Sequence, residues 1–128
     1  MSIFTKIIKG EVPCYKIAED DNFIAFLDIN PNAKGHTLVV PKKEENKIFD
    51  LSKEAYKDLM DFSYRVAKAL EKAVPNSRIG MSVIGLEVPH AHVHLIPLNE
   101  MDDIRFQKKI TLSKEEFVAL AIKIQEKL

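Results

Sequence analysis

Residues 90–98 have the sequence His-Ala-His-Val-His-Leu-Ile-Pro-Leu, in which three histidines alternate with apolar residues. Side chains of a β-strand point alternately to opposite faces, so residues i, i+2 and i+4 share one face. The apolar residues of this predicted strand therefore face a core, and the imidazoles share the other face. The histidines are His90, His92 and His94.

The shared histidine face has three interpretations: an exposed polar surface, a metal site, or a site of covalent phosphoryl chemistry. Histidine is a poor strand former with no packing reason to repeat at period two, which disfavours the first. Neutral imidazoles are common metal ligands. Neutral imidazole is also a nucleophile near neutral pH, and neighbouring imidazoles can hold phosphate oxygens while it attacks.

The rest of the chain predicts four more strands and three helices. With the histidine strand at 90–98, the five predicted strands cover residues 15–19, 22–28, 36–41, 78–85 and 90–98. The predicted helices cover residues 4–10, 52–74 and about 113–127. Ser52 is a candidate N-cap, and Ser113 with Glu116 has the form of a capping box. Because the strands do not alternate regularly with helices, the pattern predicts an α+β domain with a five-stranded antiparallel sheet.

Length, charge and cysteine content limit the class of protein. The 128 residues fit one domain, and 19 basic residues balance 19 acidic ones, so no net charge attracts nucleic acid or anionic lipid. The single cysteine, Cys14, excludes an intrachain disulfide and suits a reducing cytoplasm. No apolar run has the form of a secretory signal or a membrane span. We therefore expect a cytoplasmic protein without nucleic-acid or membrane partners.

The histidine segment resembles the signature of the histidine triad (HIT) family, in which His-x-His-x-His is followed by apolar residues. Four other blocks fall where the Hint-like branch of that family has similar sequence: residues 3–8, Glu19-Asp-Asp21, Phe26-Leu-Asp-Ile-Asn-Pro31 and Gly35-His-Thr-Leu-Val-Val-Pro-Lys42. The resemblance covers residues 2–98 and implies the HIT-like fold. The C-terminal helix is an extension outside it.

The resemblance implies a role for each matched residue. His92 is the expected nucleophile that forms a nucleotidyl-histidine intermediate, and His94 is expected to bind the phosphate. His90 and His36 are expected to support the nucleophile, and Asp28 to accept hydrogen bonds from ribose hydroxyls. The expected base and sugar pocket consists of Ile3, Phe4, Ile7, Val12, Phe26, Ile29 and Leu38.

These residues also have purely structural interpretations. Asp28 stands at a strand end before Asn-Pro, where a carboxylate commonly caps a turn. The apolar residues of the expected pocket equally suit an ordinary core. His36, taken without its sequence block, is an unremarkable residue at the start of a strand.

The sequence departs from the family in two places. Hint-like proteins usually carry Gly-Gln-Ser/Thr-Val before the triad, whereas this chain has Leu86, which donates no hydrogen bond, and Glu87, which repels phosphate when ionised. Some members also bind zinc through Cys-x-x-Cys and two histidines. Ser2, Thr5 and Glu44 occupy three of those positions here, so we expect no metal and no cofactor.

The expected function is a nucleotide hydrolase or transferase that attacks the α-phosphate of a purine nucleoside phosphoramidate or related conjugate. The alternatives are a dinucleoside polyphosphate hydrolase and a nucleotide-binding module with little turnover. The resemblance also implies a homodimer with one continuous sheet. Tyr56, Met60 and Tyr64 widen the apolar surface of the long helix, which suits a subunit interface unless the terminal helix covers them.

Overall fold

A computed structural model describes all 128 residues. It has the predicted five-stranded antiparallel sheet and three α-helices. The strands are β1 (Lys16–Glu19), β2 (Phe23–Leu27), β3 (Thr37–Pro41), β4 (Arg78–Ser82) and β5 (Val93–Leu98). The helices are α1 (Ile3–Ile8), α2 (Lys53–Ala73) and α3 (Lys114–Gln125), and two short 3-10 helices cover Ile48–Asp50 and Met101–Ile104. None of the helices is both long and apolar enough to cross a bilayer.

The strand order across the sheet is β1-β2-β3-β5-β4. The long helix α2 connects β3 to β4, and β5 inserts between these two strands, antiparallel to both. In this register Leu38 lies opposite His94, and Thr37 lies opposite Leu95. The pairing therefore places His36, the residue directly before β3, beside the histidine strand.

Apolar side chains cover both faces of the central strands. On one face α2 and α3 pack on the sheet and form the main core, in which Leu59, Leu70 and Leu95 are fully buried. On the other face a smaller cluster includes Phe4 of α1 and Phe26 of β2. Burying a leucine stabilises a fold by about 1.5–3 kcal/mol. This double coverage explains why β2 and β3 are buried throughout instead of alternating between buried and exposed residues.

The helices α2 and α3 begin at the predicted N-caps. Ser52 Oγ accepts a hydrogen bond from Ala55 N–H at 3.0 Å. Ser113 and Glu116 accept from each other's backbone N–H at 3.1 and 3.0 Å, which confirms the capping box. Such bonds satisfy N–H groups that have no partner inside the helix, and each stabilises a protein by about 1 kcal/mol.

The fifth strand begins later than predicted. Residues 90 and 91 bond to loops rather than to a strand: His90 N–H donates to the Val88 carbonyl at 2.8 Å, and Ala91 N–H donates to the Glu45 carbonyl at 2.7 Å. The fourth strand likewise ends at residue 82 instead of 85, and α1 covers residues 3–8 instead of 4–10. The two 3-10 helices are too short to leave a periodic apolar pattern, so the sequence does not indicate them.

The terminal helix covers only part of the apolar surface of α2. Phe117 of α3 stacks on Tyr15 with ring centroids 4.8 Å apart, and α3 completes the main core. Tyr56 and Met60 of α2 are half-buried against that core. Tyr64 remains 63% exposed. An apolar part of α2 is therefore available for contact with another molecule.

Gly35 lies just before β3, next to His36, and a substitution there tests how closely the chain packs at this point. Its φ is 99°, and an added Cβ would lie 3.1 Å from side-chain carbons of Leu70, Val74 and Pro97. We expect Gly35→Ala to lower the free energy of unfolding by about 2–4 kcal/mol, because left-handed strain and overpacking add. Urea unfolding of the purified variant measures this loss.

Gly10→Ala is the matched control. Gly10 also has a positive φ, 79°, but an added Cβ would meet no atom within 4 Å. We expect this variant to show only the strain of the left-handed conformation, about 1–2 kcal/mol. Equal losses in the two variants would contradict the packing contribution at Gly35.

Candidate active site

A cavity of about 450 Å³ lies beside the histidine segment. Its walls come from α1, from the chain around β2 and β3, from the loop before β5 and from the segment after β5. The lining residues are Phe4, Asp28, Asn30, Leu38, residues 84–88, His92, His94, Arg105, Phe106 and Lys109. Side chains from distant parts of the chain thus meet at two of the predicted histidines.

His92 presents a free ring nitrogen at this cavity. Its Nδ1 lies 2.7 Å from the His90 carbonyl oxygen. Because a carbonyl oxygen only accepts, Nδ1 carries the proton, and Nε2 keeps its lone pair. Burial lowers the pKa of His92, opposed by the hydrogen bond to the His90 carbonyl, so the neutral, nucleophilic form is favoured. The ring of Phe4 lies against His92 with centroids 4.9 Å apart and restricts its orientation.

His94 and His36 form a buried chain of hydrogen bonds. The backbone N–H of Asn32 donates to His36 Nδ1 at 3.0 Å, so His36 carries its proton on Nε2. The His36 Nε2–H donates to His94 Nδ1 at 2.9 Å. Because His94 Nδ1 accepts this bond, neutral His94 carries its own proton on Nε2. Burial, together with neighbouring positive groups, lowers the pKa of His36 to about 3 and that of His94 to about 4. His94 is therefore a neutral hydrogen-bond donor at the cavity.

His90 is fully buried and lies behind His92, outside the cavity wall. Its Nε2–H donates to the Pro41 carbonyl at 2.8 Å, and its Nδ1 accepts from the Ser2 hydroxyl at 2.7 Å. Held in this way, His90 offers its backbone carbonyl to His92. The structure thus brings the four predicted histidines together but gives them different positions.

Asp28 lies at the cavity and also caps a turn. Its Oδ1 accepts from Asn30 N–H at 2.9 Å, while Oδ2 lies 3.6 Å from His36 Nε2 and faces no backbone donor. Burial raises the pKa of this carboxyl, and the bond from Asn30 and the Lys109 ammonium oppose the rise. The turn-capping and ligand-binding interpretations are therefore compatible, because each uses a different oxygen.

Only two of the seven predicted apolar pocket residues line the cavity. Phe4 and Leu38 line the cavity. Phe26 is buried behind them in the same cluster, and Ile7 packs at the edge of that cluster. The other three, which are Ile3, Val12 and Ile29, lie outside the wall, and Ile29 is 74% exposed.

The loop before β5 forms the mouth of the cavity. Leu86 is 89% exposed, and the exposed Glu87 also lines the opening. Neither side chain donates a hydrogen bond. The two departures from the family pattern therefore lie where a bound molecule would enter or leave.

The cavity residues that the sequence did not indicate include Arg105, Phe106 and Lys109. The Phe106 ring lies 4.8 Å from the His94 ring and 5.9 Å from the His36 ring, measured between centroids. Its φ is 61°, the left-handed region that bulky residues rarely adopt. The cluster of basic residues around an aromatic one at 105–109 was a visible signal, but nothing in the sequence connects it to the histidines.

The residues at the zinc positions that the family resemblance implies form a hydrogen-bonded network here. Glu44 Oε1 accepts from Ser2 N–H at 2.7 Å and from the Thr5 hydroxyl, and Ser2 also bonds to His90. Two hydroxyls, one carboxylate and one imidazole are a poor match to a structural zinc site, which prefers thiolates and imidazoles. These residues therefore do not fit a zinc ion, and their hydrogen bonds anchor α1 to the histidine segment instead.

A second group of possible ligands is Asp28, His36 and His94, whose ligand atoms lie within 4.8 Å of one another. A metal ion bound there would have to displace the hydrogen bond between His36 and His94. The arrangement is better explained by the chain of hydrogen bonds that begins at Asn32.

A family model described as the HIT domain matches residues 9–101. The chain belongs to the HIT family. This HIT protein is 38% identical to the adenosine 5′-monophosphoramidase of Schizosaccharomyces pombe over 129 residues, which cover 98% of this chain and 97% of that protein. The match to the family confirms the resemblance seen in the sequence.

Solved structures agree with the fold. A Hit-like protein involved in cell-cycle regulation from Bartonella henselae superposes with a TM-score of 0.87 at 34% identity, covering 99% of this chain and 96% of that one. A hypothetical histidine triad nucleotide-binding protein from Sulfolobus tokodaii gives 0.83 at 31% identity, covering 97% and 89%. Arg105, Phe106 and Lys109 lie beyond the segment that the HIT domain model matches.

We expect this HIT protein to need no transition metal, because hydrogen bonds within the chain already use the groups that would hold one. Untagged protein treated with EDTA should keep its melting temperature. Elemental analysis by mass spectrometry should find no stoichiometric zinc. Bound zinc whose removal unfolds or inactivates the protein would reverse this expectation.

Proposed function

We propose that this HIT protein is a nucleotide-binding hydrolase or transferase that attacks the α-phosphate of a purine nucleoside phosphoramidate or a related conjugate. The observation that carries the proposal is the state of His92, whose Nδ1–H is bonded to the His90 carbonyl and whose Nε2 is free at the cavity. Similarity to a yeast adenosine 5′-monophosphoramidase and to a protein described as nucleotide-binding supports the substrate class.

The proposed reaction has two displacements at phosphorus. In the first, His92 Nε2 forms a bond to the α-phosphorus, the bond from phosphorus to the leaving nitrogen breaks, and the departing amine takes a proton from water. In the second, water attacks phosphorus, the bond to His92 breaks, and the nucleoside monophosphate leaves as the water releases its proton. The His90 carbonyl stabilises the positive charge that the ring acquires between these steps.

Two further groups are placed to hold the substrate. His94 has its neutral Nε2–H available for a phosphate oxygen, because Nδ1 is occupied by His36. Asp28 has Oδ2 available for the ribose hydroxyls, because Oδ1 is occupied by Asn30. Together these groups orient the phosphorus toward His92, and orientation is a large part of catalysis in phosphoryl transfer.

A second candidate function is a nucleotide-binding module with little turnover. It is favoured by Leu86 and Glu87, which line the mouth of the cavity and supply no donor to a leaving group. Such a protein would bind the same nucleotide as the enzyme but release product slowly, so turnover separates the two.

The central experiment compares wild-type protein with His92→Ala on adenosine 5′-phosphoramidate. We expect wild type to release AMP and the variant to lose turnover by about a thousandfold or more, because the two-step route disappears. AMP binding, measured by calorimetry, should remain within a few-fold of wild type. Near-normal turnover by the variant would refute the covalent route, and AMP binding without turnover by wild type would favour the binding module.

Asp28→Ala should weaken AMP binding, because Oδ2 no longer accepts from the ribose hydroxyls. We expect a loss of about tenfold or more, the value of at least one hydrogen bond to a charged group. The same substitution should change the affinity for 2′,3′-dideoxy-AMP by much less. Equal losses for the two nucleotides would show that Asp28 acts only through the turn that Oδ1 caps.

We also propose a homodimer that uses the free edge of the sheet. β4 is an outer strand that pairs only with β5, and Met81, Ile84 and Tyr64 are exposed apolar residues on β4, the following loop and α2. Uncovered strand edges and apolar side chains favour association. Light scattering at micromolar concentration should give about twice 14.6 kDa, and a mass of 14.6 kDa would contradict the dimer. The cytoplasmic location stays a prediction.

A further inference from the structure

The proposed site poses an electrostatic problem. A nucleoside monophosphate is an anion, and both Asp28 and Glu87 at the cavity are acidic. His36, His92 and His94 are held neutral by burial, so they offer hydrogen bonds but no positive charge. The Leu86 side chain offers no donor. A phosphate in this cavity therefore needs a cation from another part of the chain.

Lys109 is the cation that the fold leaves free at this cavity. Its Nζ donates to Asn32 Oδ1 at 2.7 Å and makes no ion pair with a carboxylate of the chain, so further N–H donors remain. The neighbouring basic residues are neutralised: Arg105 pairs with Asp102, and Lys108 pairs with Glu100 at 2.8 Å.

The surroundings of Lys109 hold it in position relative to the histidines. Asn32 is buried, and its side-chain nitrogen donates to the Asp103 carbonyl at 3.0 Å. Its backbone N–H donates to His36, so one residue anchors both Lys109 and the chain of hydrogen bonds to His94. The ammonium also lies 5.1 Å from the centre of the Phe106 ring, which itself contacts His94.

The conformation of Phe106 supports a functional role for this segment. A bulky residue in the left-handed region is strained and persists only where the surrounding structure enforces it. Here the strained backbone places an aromatic ring against His36 and His94 and carries Lys109 over the cavity. The segment lies outside the part of the chain that matches the HIT domain model.

We propose that Lys109 binds the α-phosphate of the nucleotide as the cationic partner of the neutral donor His94. The inference rests on the proposed function, because it assigns a further substrate-binding residue to that site. Lys109 compensates for the missing polar donors of the loop at Leu86 and Glu87. It also stabilises the negative charge on the phosphoryl oxygens during attack by His92.

The test compares Lys109→Gln with Lys108→Gln, which removes the same charge from the adjacent residue but leaves the cavity intact. Calorimetry measures the affinity of each protein for AMP and for adenosine. We expect Lys109→Gln to weaken AMP binding about tenfold or more, the value of a charge-assisted hydrogen bond, and to leave adenosine binding unchanged. Lys108→Gln should alter neither affinity, and Lys109→Arg should restore most of the affinity for AMP.

The design separates this inference from the proposed function. Wild-type protein that binds no AMP would refute both. If wild type and Lys109→Gln bind AMP with equal affinity, the role of Lys109 is refuted and the proposed function is not. Equal losses for AMP and adenosine would also refute it, because they would show that Lys109 only supports the wall formed by Phe106. Melting curves of every variant establish that the compared proteins are folded.

Discussion

The pairing of β3 with β5 is the contact on which the rest of this structure depends. These strands are distant in sequence and become neighbours only because α2 carries the chain across the sheet and β5 returns between β3 and β4. The register that sets Leu38 opposite His94 also sets His36 beside His94. A shift of one residue would turn His94 into the main core and move Val93 and Leu95 to the opposite face of the sheet.

Most of the buried polar groups in this region have a hydrogen-bond partner within the chain. Unpaired polar groups in an apolar interior cost several kcal/mol, whereas the chain from Asn32 through His36 to His94 satisfies every ring nitrogen except one. The bond from His92 Nδ1–H to the His90 carbonyl likewise leaves His92 Nε2 without a proton and without a partner in the chain. The hydrogen bonds that stabilise the fold therefore also select which ring nitrogens of His92 and His94 carry a proton.

The site combines groups that repel a phosphate with groups that attract one. Asp28 is acidic and lines the same cavity as His92 and His94. Neutral histidines avoid the cost of burying several positive charges together. Lys109, at the cavity wall beside the strained Phe106, adds a positive charge that lowers the pKa of His36 and His94 further and so favours their neutral forms.

Most of the fold was predictable from local patterns. Ser52 and Ser113 marked the starts of two helices, and the alternation within residues 90–98 marked a strand and its two faces, because caps and periodicity depend on neighbouring residues. The family pattern likewise selected the four histidines and Asp28. Proton positions, the late start of β5 and the entry of Phe106 and Lys109 into the cavity were not predictable. Each depends on contacts between remote segments, such as the bond between Lys109 and Asn32 across 77 residues, and these form only when the whole chain packs.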